Sequence, residues 1–303
     1  MDKLIVILGP TASGKSDLAV KLARKFKGEI ISADSRQVYK GMDIGTGKIT
    51  KKEMRGIPHY LLDVTSPKRR FTVVQYRKLA TEAIKKILRK KKFPILCGGT
   101  GFYIQALVDG LVIPEVKPDR LLRINLNKLT AKELFKKLRT LDSKRAKTID
   151  RYNKRRLIRA LEIVIKTKRP VPVLMKKDVP YSPLFIGIKK EKKGLENLIQ
   201  KRLSKRLEKK LLIKEVRKLH KNGISWKRLE EFGLEYKWIA RYLQNKVNYK
   251  EMAERLQKDI EHFAKRQMTW FKRDNRIHWI KKQPEAEKLV RKFLEGEKTI
   301  NRK

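Results

Sequence analysis

An apolar run, Leu4-Ile5-Val6-Ile7-Leu8, feeds directly into Gly9-Pro10-Thr11-Ala12-Ser13-Gly14-Lys15-Ser16, and this junction constrains the fold more than any other stretch of the chain. Two glycines, a lysine and a hydroxyl at this spacing form a P-loop, which needs a strand before it and a helix after it. Both signals are present. Residues 4–8 read as a short buried strand, and Leu18, Ala19, Leu22, Ala23 and Phe26 recur at helical spacing. In such a loop backbone N–H groups turn inward around phosphate oxygens, Lys15 adds a point charge, Ser16 can ligate Mg2+, and the following helix points its positive end at the anion. The chain is expected to bind a phosphoryl group through Gly9 to Ser16, and the loop alone leaves open which one.

Charge supplies the second constraint. The 303 residues carry 79 Lys+Arg against 32 Asp+Glu, a formal net charge of +47, which a small-molecule enzyme has little use for and a nucleic-acid partner does. Much of the lysine is solvated helix surface, but three clusters stand out: 151–159, 202–210 and 264–273, the last interleaved with Trp270 and Phe271, whose rings can stack. A lone Cys97 excludes an internal disulfide and, following Phe93-Pro94-Ile95-Leu96, reads as a buried core residue. Four scattered histidines without cysteine partners argue against zinc. No run of 18 apolar residues exists and the chain opens on a strand, so a cytoplasmic protein without membrane contact is expected.

Strands and helices alternate over the first hundred residues, which predicts an α/β fold with a P-loop NTPase-like parallel sheet. A strand over 29–33 ends at Asp34. A helix over 73–92 leads to a strand over 93–96 that ends at Gly98-Gly99-Thr100-Gly101. The expected organisation is a first part of the core over 1–115, a small helical insertion over 116–150, a core continuation over 151–194 with a helix at 154–167 and a strand at 184–188, and a helical, basic C-terminal region over 195–303. Ligands of open α/β sheets sit at the carboxyl ends of strands, so the P-loop, Asp34 and Thr100 should share one crevice. Asp34 is then the candidate general base, with two other uses open to it: capping a helix that begins near Ser35, or holding Mg2+ through water.

Five ordered blocks carry a resemblance: GPTASGKS; Ser32-Ala33-Asp34-Ser35-Arg36-Gln37-Val38-Tyr39-Lys40-Gly41-Met42-Asp43-Ile44-Gly45-Thr46; Gly98-Gly99-Thr100-Gly101-Phe102-Tyr103; Arg156-Leu157-Ile158-Arg159-Ala160-Leu161-Glu162; and Ala264-Lys265-Arg266-Gln267-Met268-Thr269-Trp270-Phe271. Together they resemble the tRNA dimethylallyltransferases, from residue 4 to about residue 280. The resemblance implies transfer of a dimethylallyl group from its diphosphate to the exocyclic amine of the adenosine 3′ of a tRNA anticodon, with Mg2+ as cofactor. It implies catalytic roles for Asp34, Lys15 and Thr100, and tRNA contact by Asp34, Ser35, Arg36, Gln37, Thr100, Arg123, Arg155, Arg156, Leu157, Ile158 and Arg159. The partners expected are the tRNA anticodon stem-loop and dimethylallyl diphosphate, the protein being a monomer with no obligate protein partner.

The chain departs from the family pattern in places. Its insertion between Pro118 and Asp142 is short, a bacterial form without the zinc extension of eukaryotic ones is expected, and Glu235 and Lys210 stand where glycines are usual, with Lys237 as a candidate substrate contact. Two rival readings remain at this level: a P-loop kinase of a nucleoside or small metabolite, and a non-catalytic RNA-binding protein with a P-loop.

Overall fold

The computed structural model describes residues 1–114, 116–208 and 210–296. Strand β1 (Asp2–Leu8) leads through the P-loop into α1 (Lys15–Lys25) and back to β2 (Gly28–Ser32). A short helix α2 (Lys51–Met54) precedes the two-residue strand β3 (His59–Tyr60), and α3 (Val73–Arg89) returns the chain to β4 (Phe93–Gly98), which feeds α4 (Gly101–Val108). Helices α5 (Arg120–Lys128), α6 (Ala131–Leu141), α7 (Ser143–Thr148) and α8 (Lys154–Thr167) come before β5 (Tyr181–Ile188). The remainder runs through α9 (Lys192–Glu208), α10 (Leu211–Lys221), α11 (Trp226–Phe232), α12 (Leu234–Leu243) and α13 (Tyr249–Phe271) to β6 (Ile277–Ile280) and α14 (Gln283–Glu295).

The strands form one sheet in the order β3-β2-β4-β1-β5-β6, every neighbouring pair parallel. Helices on both faces explain why β1 is apolar at consecutive positions rather than alternating ones. Leu4, Val6 and Leu8 face one layer with Tyr76 and Ile84 of α3 and Ile104 of α4, whereas Ile5 and Ile7 face the other with Leu18 and Leu22 of α1 and Val290 of α14. Cys97 is buried in that second layer as expected, and burial pushes its thiol up to about 11, which removes it as a nucleophile.

Strands β3 and β6 escape the sequence reading. Both are short edge strands, and β6 lies between charged residues in a region that reads as wholly helical.

Residues Leu111–Lys177 form a compact unit of their own. This corrects the expected boundary of 116–150, because α8, assigned to the core continuation, supplies Leu157, Leu161 and Val164 to a cluster with Leu126 of α5 and Leu134 and Leu138 of α6. Those α8 residues recur at i, i+4 and i+7, a stripe that needs a helical partner. Each helix of this unit opens on a side-chain cap: Asp119, Thr130, Asp142 and Asn153. In the other unit, α9 to α13 close a separate cluster around Val38, Tyr39 and Met42, which ties the helical region to the loop after β2. Among the described residues no helix is long and apolar enough to cross a membrane.

Candidate active site

The P-loop begins where β1 ends. Ala12 and Gly14 take left-handed φ values of 61° and 87°, which turns the backbone into a cradle, and α1 starts at Lys15 with no side chain capping its first N–H groups. Ser13 Oγ is buried without a hydrogen-bond partner among the described residues. Lys15 donates from Nζ to the Pro10 carbonyl at 3.1 Å. A helix N-terminus, a lysine and an unpartnered hydroxyl at one place are the donor set of an anion site.

Cations from the C-terminal helices complete it. A cavity of about 520 Å³ is lined by Ser13, Gly14, Lys15 and Ser16 of the loop and by Arg202 and Arg206 of α9. Burial is the main cause that holds Lys15 below its ordinary value, with Arg202 adding to it against the charge of Asp34. Burial also lowers Arg202, and together with Arg202 brings Arg206 down to about 10 against the pull of Glu235, whose own carboxyl is raised by burial. The cavity therefore holds more positive charge than its protein neighbours neutralise, which favours an anionic ligand.

Asp34 and Thr100 meet at the same carboxyl end of the sheet. The strand registers align Leu8 with Gly98 and Ser32 with Cys97, so the three loops leave the sheet at one level. Thr100 donates its N–H to the Ala33 carbonyl at 3.0 Å and accepts the Ser35 N–H on Oγ1 at 3.0 Å. Such closeness excludes side chains: a Cβ on Gly98 would lie 2.2 Å from the Ala33 oxygen. Asp34 Oδ1 accepts the N–H groups of Arg36 at 2.8 Å and Gln37 at 3.3 Å, so the carboxylate caps a turn and not a helix. No donor among the described residues takes Oδ2, and the charge of Asp34 is felt by both Lys15 and Arg202.

Gln267 of α13 joins the two loops. Its Oε1 accepts the Thr11 N–H at 2.8 Å and its Nε2 donates to the Gly99 carbonyl at 2.9 Å. Trp270 lies against Gly101, where a Cβ would be 2.2 Å from its Cδ1, and Phe271 is buried beside β1. The aromatic cluster at 264–273 is thus inward-facing support for the crevice, and Phe271 offers no platform for stacked bases.

The residues expected at the tRNA divide sharply. Arg36 donates from Nε to the Phe232 carbonyl at 3.0 Å, and Gln37 Nε2 reaches the carbonyls of Thr46 at 3.5 Å and Gly47 at 3.3 Å, so both side chains brace the protein itself. Leu157 and Ile158 are core, 0% and 6% exposed, and cannot present their side chains to RNA. Arg123 makes a bidentate pair with the buried Glu162 at 2.7 and 2.6 Å, and Arg159 bonds the same carboxylate at 2.7 Å. Burial alone would raise Glu162, but these partners and the Asp119 N–H hold it below its ordinary value. Arg155 and Arg156 are exposed. Lys237 pairs with Asp259 at 3.4 Å and lies over the Trp238 ring, which occupies the proposed substrate contact.

Arg202, Arg206 and Gln267 are the site residues that sequence reasoning missed. A signal existed for the arginines: they fall on the same helical stripe as the buried Leu195 and Ile199, inward positions where a charge needs a reason.

Residues 37–274 match the family model described as IPP transferase. The chain is 42% identical to a tRNA dimethylallyltransferase of Acetivibrio thermocellus over 93% of this chain and 92% of that one, and 39% identical to that of Thermoanaerobacter sp. over 97% and 98%. Among solved structures it is similar to the full-length tRNA isopentenylpyrophosphate transferase of Bacillus halodurans, with 36% identity, 97% of both chains covered and a TM-score of 0.74. It is also similar to a eukaryotic dimethylallyltransferase acting on tRNA, with 25% identity, a TM-score of 0.79 and coverage of 97% and 80%. With its P-loop, its strand-end aspartate and threonine and its glutamine bridge arranged at the carboxyl ends of three neighbouring strands, the chain belongs to the tRNA dimethylallyltransferase family.

Proposed function

We infer that the protein transfers a dimethylallyl group from dimethylallyl diphosphate to the exocyclic amine of the adenosine next to the anticodon, on its 3′ side, in tRNA. The observation that carries this assignment at the level of the site is the meeting of a cation-rich phosphate cavity with a half-free aspartate at the carboxyl ends of the strands. The P-loop N–H groups, the N-terminus of α1, Lys15, Arg202 and Arg206 hold the diphosphate and stabilise the charge that builds on it as the allylic C–O bond breaks. Ser16, exposed at the cavity, would suit Mg2+, which takes few protein ligands: among the described residues no group of three or more His, Cys, Asp or Glu side chains is placed to hold a metal ion by itself. When bound, the ion neutralises leaving-group charge.

The amine nitrogen attacks the allylic carbon as the C–O electron pair leaves with the diphosphate, and Asp34 accepts the amine proton on Oδ2. A carboxylate is needed because an adenine amine is a poor nucleophile until its proton has somewhere to go. Thr100, whose Oγ1 is fixed by the Ser35 N–H, keeps its own hydroxyl hydrogen for a diphosphate oxygen. Unstacking the adenine costs a few kcal/mol, least in a single-stranded loop, and exposed arginines such as Arg155 and Arg156 offset it at the RNA backbone. A tRNA substrate supports a cytoplasmic location.

Incubation with an anticodon stem-loop and dimethylallyl diphosphate, followed by nucleoside mass spectrometry, tests the assignment. Prenylated adenosine is the expected product. Turnover of ATP without it would favour a kinase, and neither reaction would favour a binding protein.

A further inference from the structure

One wall of the phosphate cavity is a loop, residues 41–48, that contributes Asp43, Ile44, Gly47 and Lys48 to its lining and has no helix or strand of its own. Its shape is imposed from behind. Glu215 of α10 accepts the backbone N–H of Asp43 at 2.8 Å and of Ile44 at 2.7 Å on Oε2, and that of Gly45 at 3.1 Å on Oε1, where the Tyr236 hydroxyl also donates at 2.7 Å. Four donors on one carboxylate leave it no room to do anything else. The Tyr236 ring presses on the same loop, since a Cβ on Gly45 would lie 2.7 Å from its Cζ.

Two residues further on, Gly47 takes a φ of 61° and carries the guanidiniums of α9 on its bare backbone. A Cβ there would lie 1.5 Å from Arg202 Nη2 and 2.3 Å from Arg206 Nη2. The loop is therefore a seat, with Glu215 fixing its height and Gly47 its surface. Behind the pair, Glu235 approaches Arg206 at 3.5 Å.

We propose that Glu215 is a positioning residue for the diphosphate: it pins the loop at 43–45 so that Gly47 seats Arg202 and Arg206 at the phosphate cavity, and it acts on the ligand only through them. This rests on the cavity being the diphosphate site. The charge matters because all the groups facing Glu215 are donors. A glutamine would present an NH2 to one side of the nest, leave a backbone N–H without its acceptor and let the seat shift.

Calorimetric titration of the full chain with inorganic pyrophosphate, beside stem-loop binding and steady-state transfer, tests this in Glu215→Gln, Gly47→Ala and Arg202→Ala. Arg202→Ala should weaken pyrophosphate binding about tenfold or more, as loss of a charge-assisted contact does. Glu215→Gln should weaken it about fivefold and raise the KM for dimethylallyl diphosphate in step, with kcat and stem-loop affinity within about twofold, a split that merely lowered stability would not produce. Gly47→Ala, which fills the seat without touching Glu215, should give the same signature. Unchanged pyrophosphate affinity in Glu215→Gln and Gly47→Ala, with loss in Arg202→Ala, would overturn the proposal alone. No loss in Arg202→Ala would overturn the reading of the cavity and the proposal with it.

Discussion

The P-loop crevice and the helical unit at 111–177 are both rich in polar and cationic groups, yet they treat them in opposite ways. In the crevice, bonding capacity is left over: Ser13 Oγ has no partner among the described residues, α1 has no side-chain cap, Lys15, Arg202 and Arg206 share one cavity, and Asp34, whose charge reaches Lys15 and Arg202, keeps one oxygen without a donor among the described residues. In the helical unit the buried groups are used up internally, and Arg155 and Arg156 stay exposed on its surface. Glu162 collects Arg123, Arg159 and the Asp119 N–H, every helix has a cap, and Arg145 Nε is the one buried side-chain nitrogen left over among the described residues. Unsatisfied capacity marks where a ligand belongs, whereas a charge count does not.

The largest expected break is Lys15→Ala, which should slow transfer about 10²- to 10³-fold while leaving stem-loop affinity nearly intact, as loss of one fixed charge at a leaving group does. Equal losses in transfer and RNA binding, read by steady-state kinetics and filter binding, would put Lys15 on the RNA.

On the other side of the comparison, Glu162→Ala should cost on the order of 2–4 kcal/mol, below the full value for a buried pair because both arginines are partly exposed. Its folded pKa is depressed, so its stabilisation is present above the ordinary glutamate value of 4.5 and is lost as pH falls through the lower, folded value. Acid titration followed by hydrogen exchange should show the 111–177 unit loosening in that window in wild type, and the variant already loosened at neutral pH.

A smaller effect separates the two kinds of arginine. Removing Arg155 and Arg156 together should flatten the dependence of log affinity on log salt by about 1.4, taking 0.7 per neutralised phosphate of a single-stranded loop. Arg159→Ala should leave that slope alone and lower the melting temperature instead. The reverse pattern would mean that the Glu162 pairing gives way to RNA.

How much of this was legible before the structure follows from the same contrast. The P-loop chemistry needs fixed residue types at fixed spacing, so Gly9 to Ser16, Asp34 and Thr100 can be read directly, as can the strands at 4–8, 29–33 and 184–188. Arg202 and Arg206 fall in the basic run at 202–210 and on the stripe of Leu195 and Ile199, but a chain with 79 Lys+Arg offers i, i+4 arginines on many helices, and only packing shows that this pair faces the cavity. Gln267 acts across the fold, at a sequence distance no spacing rule covers. Departures from the family pattern were visible, and Lys210 pays for its place: it sits at the start of α10 with a φ of 50°, a conformation that costs an L-residue roughly 1–2 kcal/mol. Lys210→Gly should accordingly raise stability, by about 0.5–1 kcal/mol once glycine's greater freedom in the unfolded chain is deducted, a gain that denaturant melts can resolve.

The central claim, that the crevice couples diphosphate departure to proton transfer at Asp34, is tested most directly by single-turnover transfer with pre-bound tRNA in Asp34→Asn across a magnesium series. Asparagine keeps the shape and an acceptor for the Arg36 and Gln37 N–H groups but cannot take the amine proton. Transfer should be about a hundred- to ten-thousandfold slower at every magnesium concentration, with both substrates still bound. Rescue by metal, or a rate within about threefold of wild type, would contradict the account.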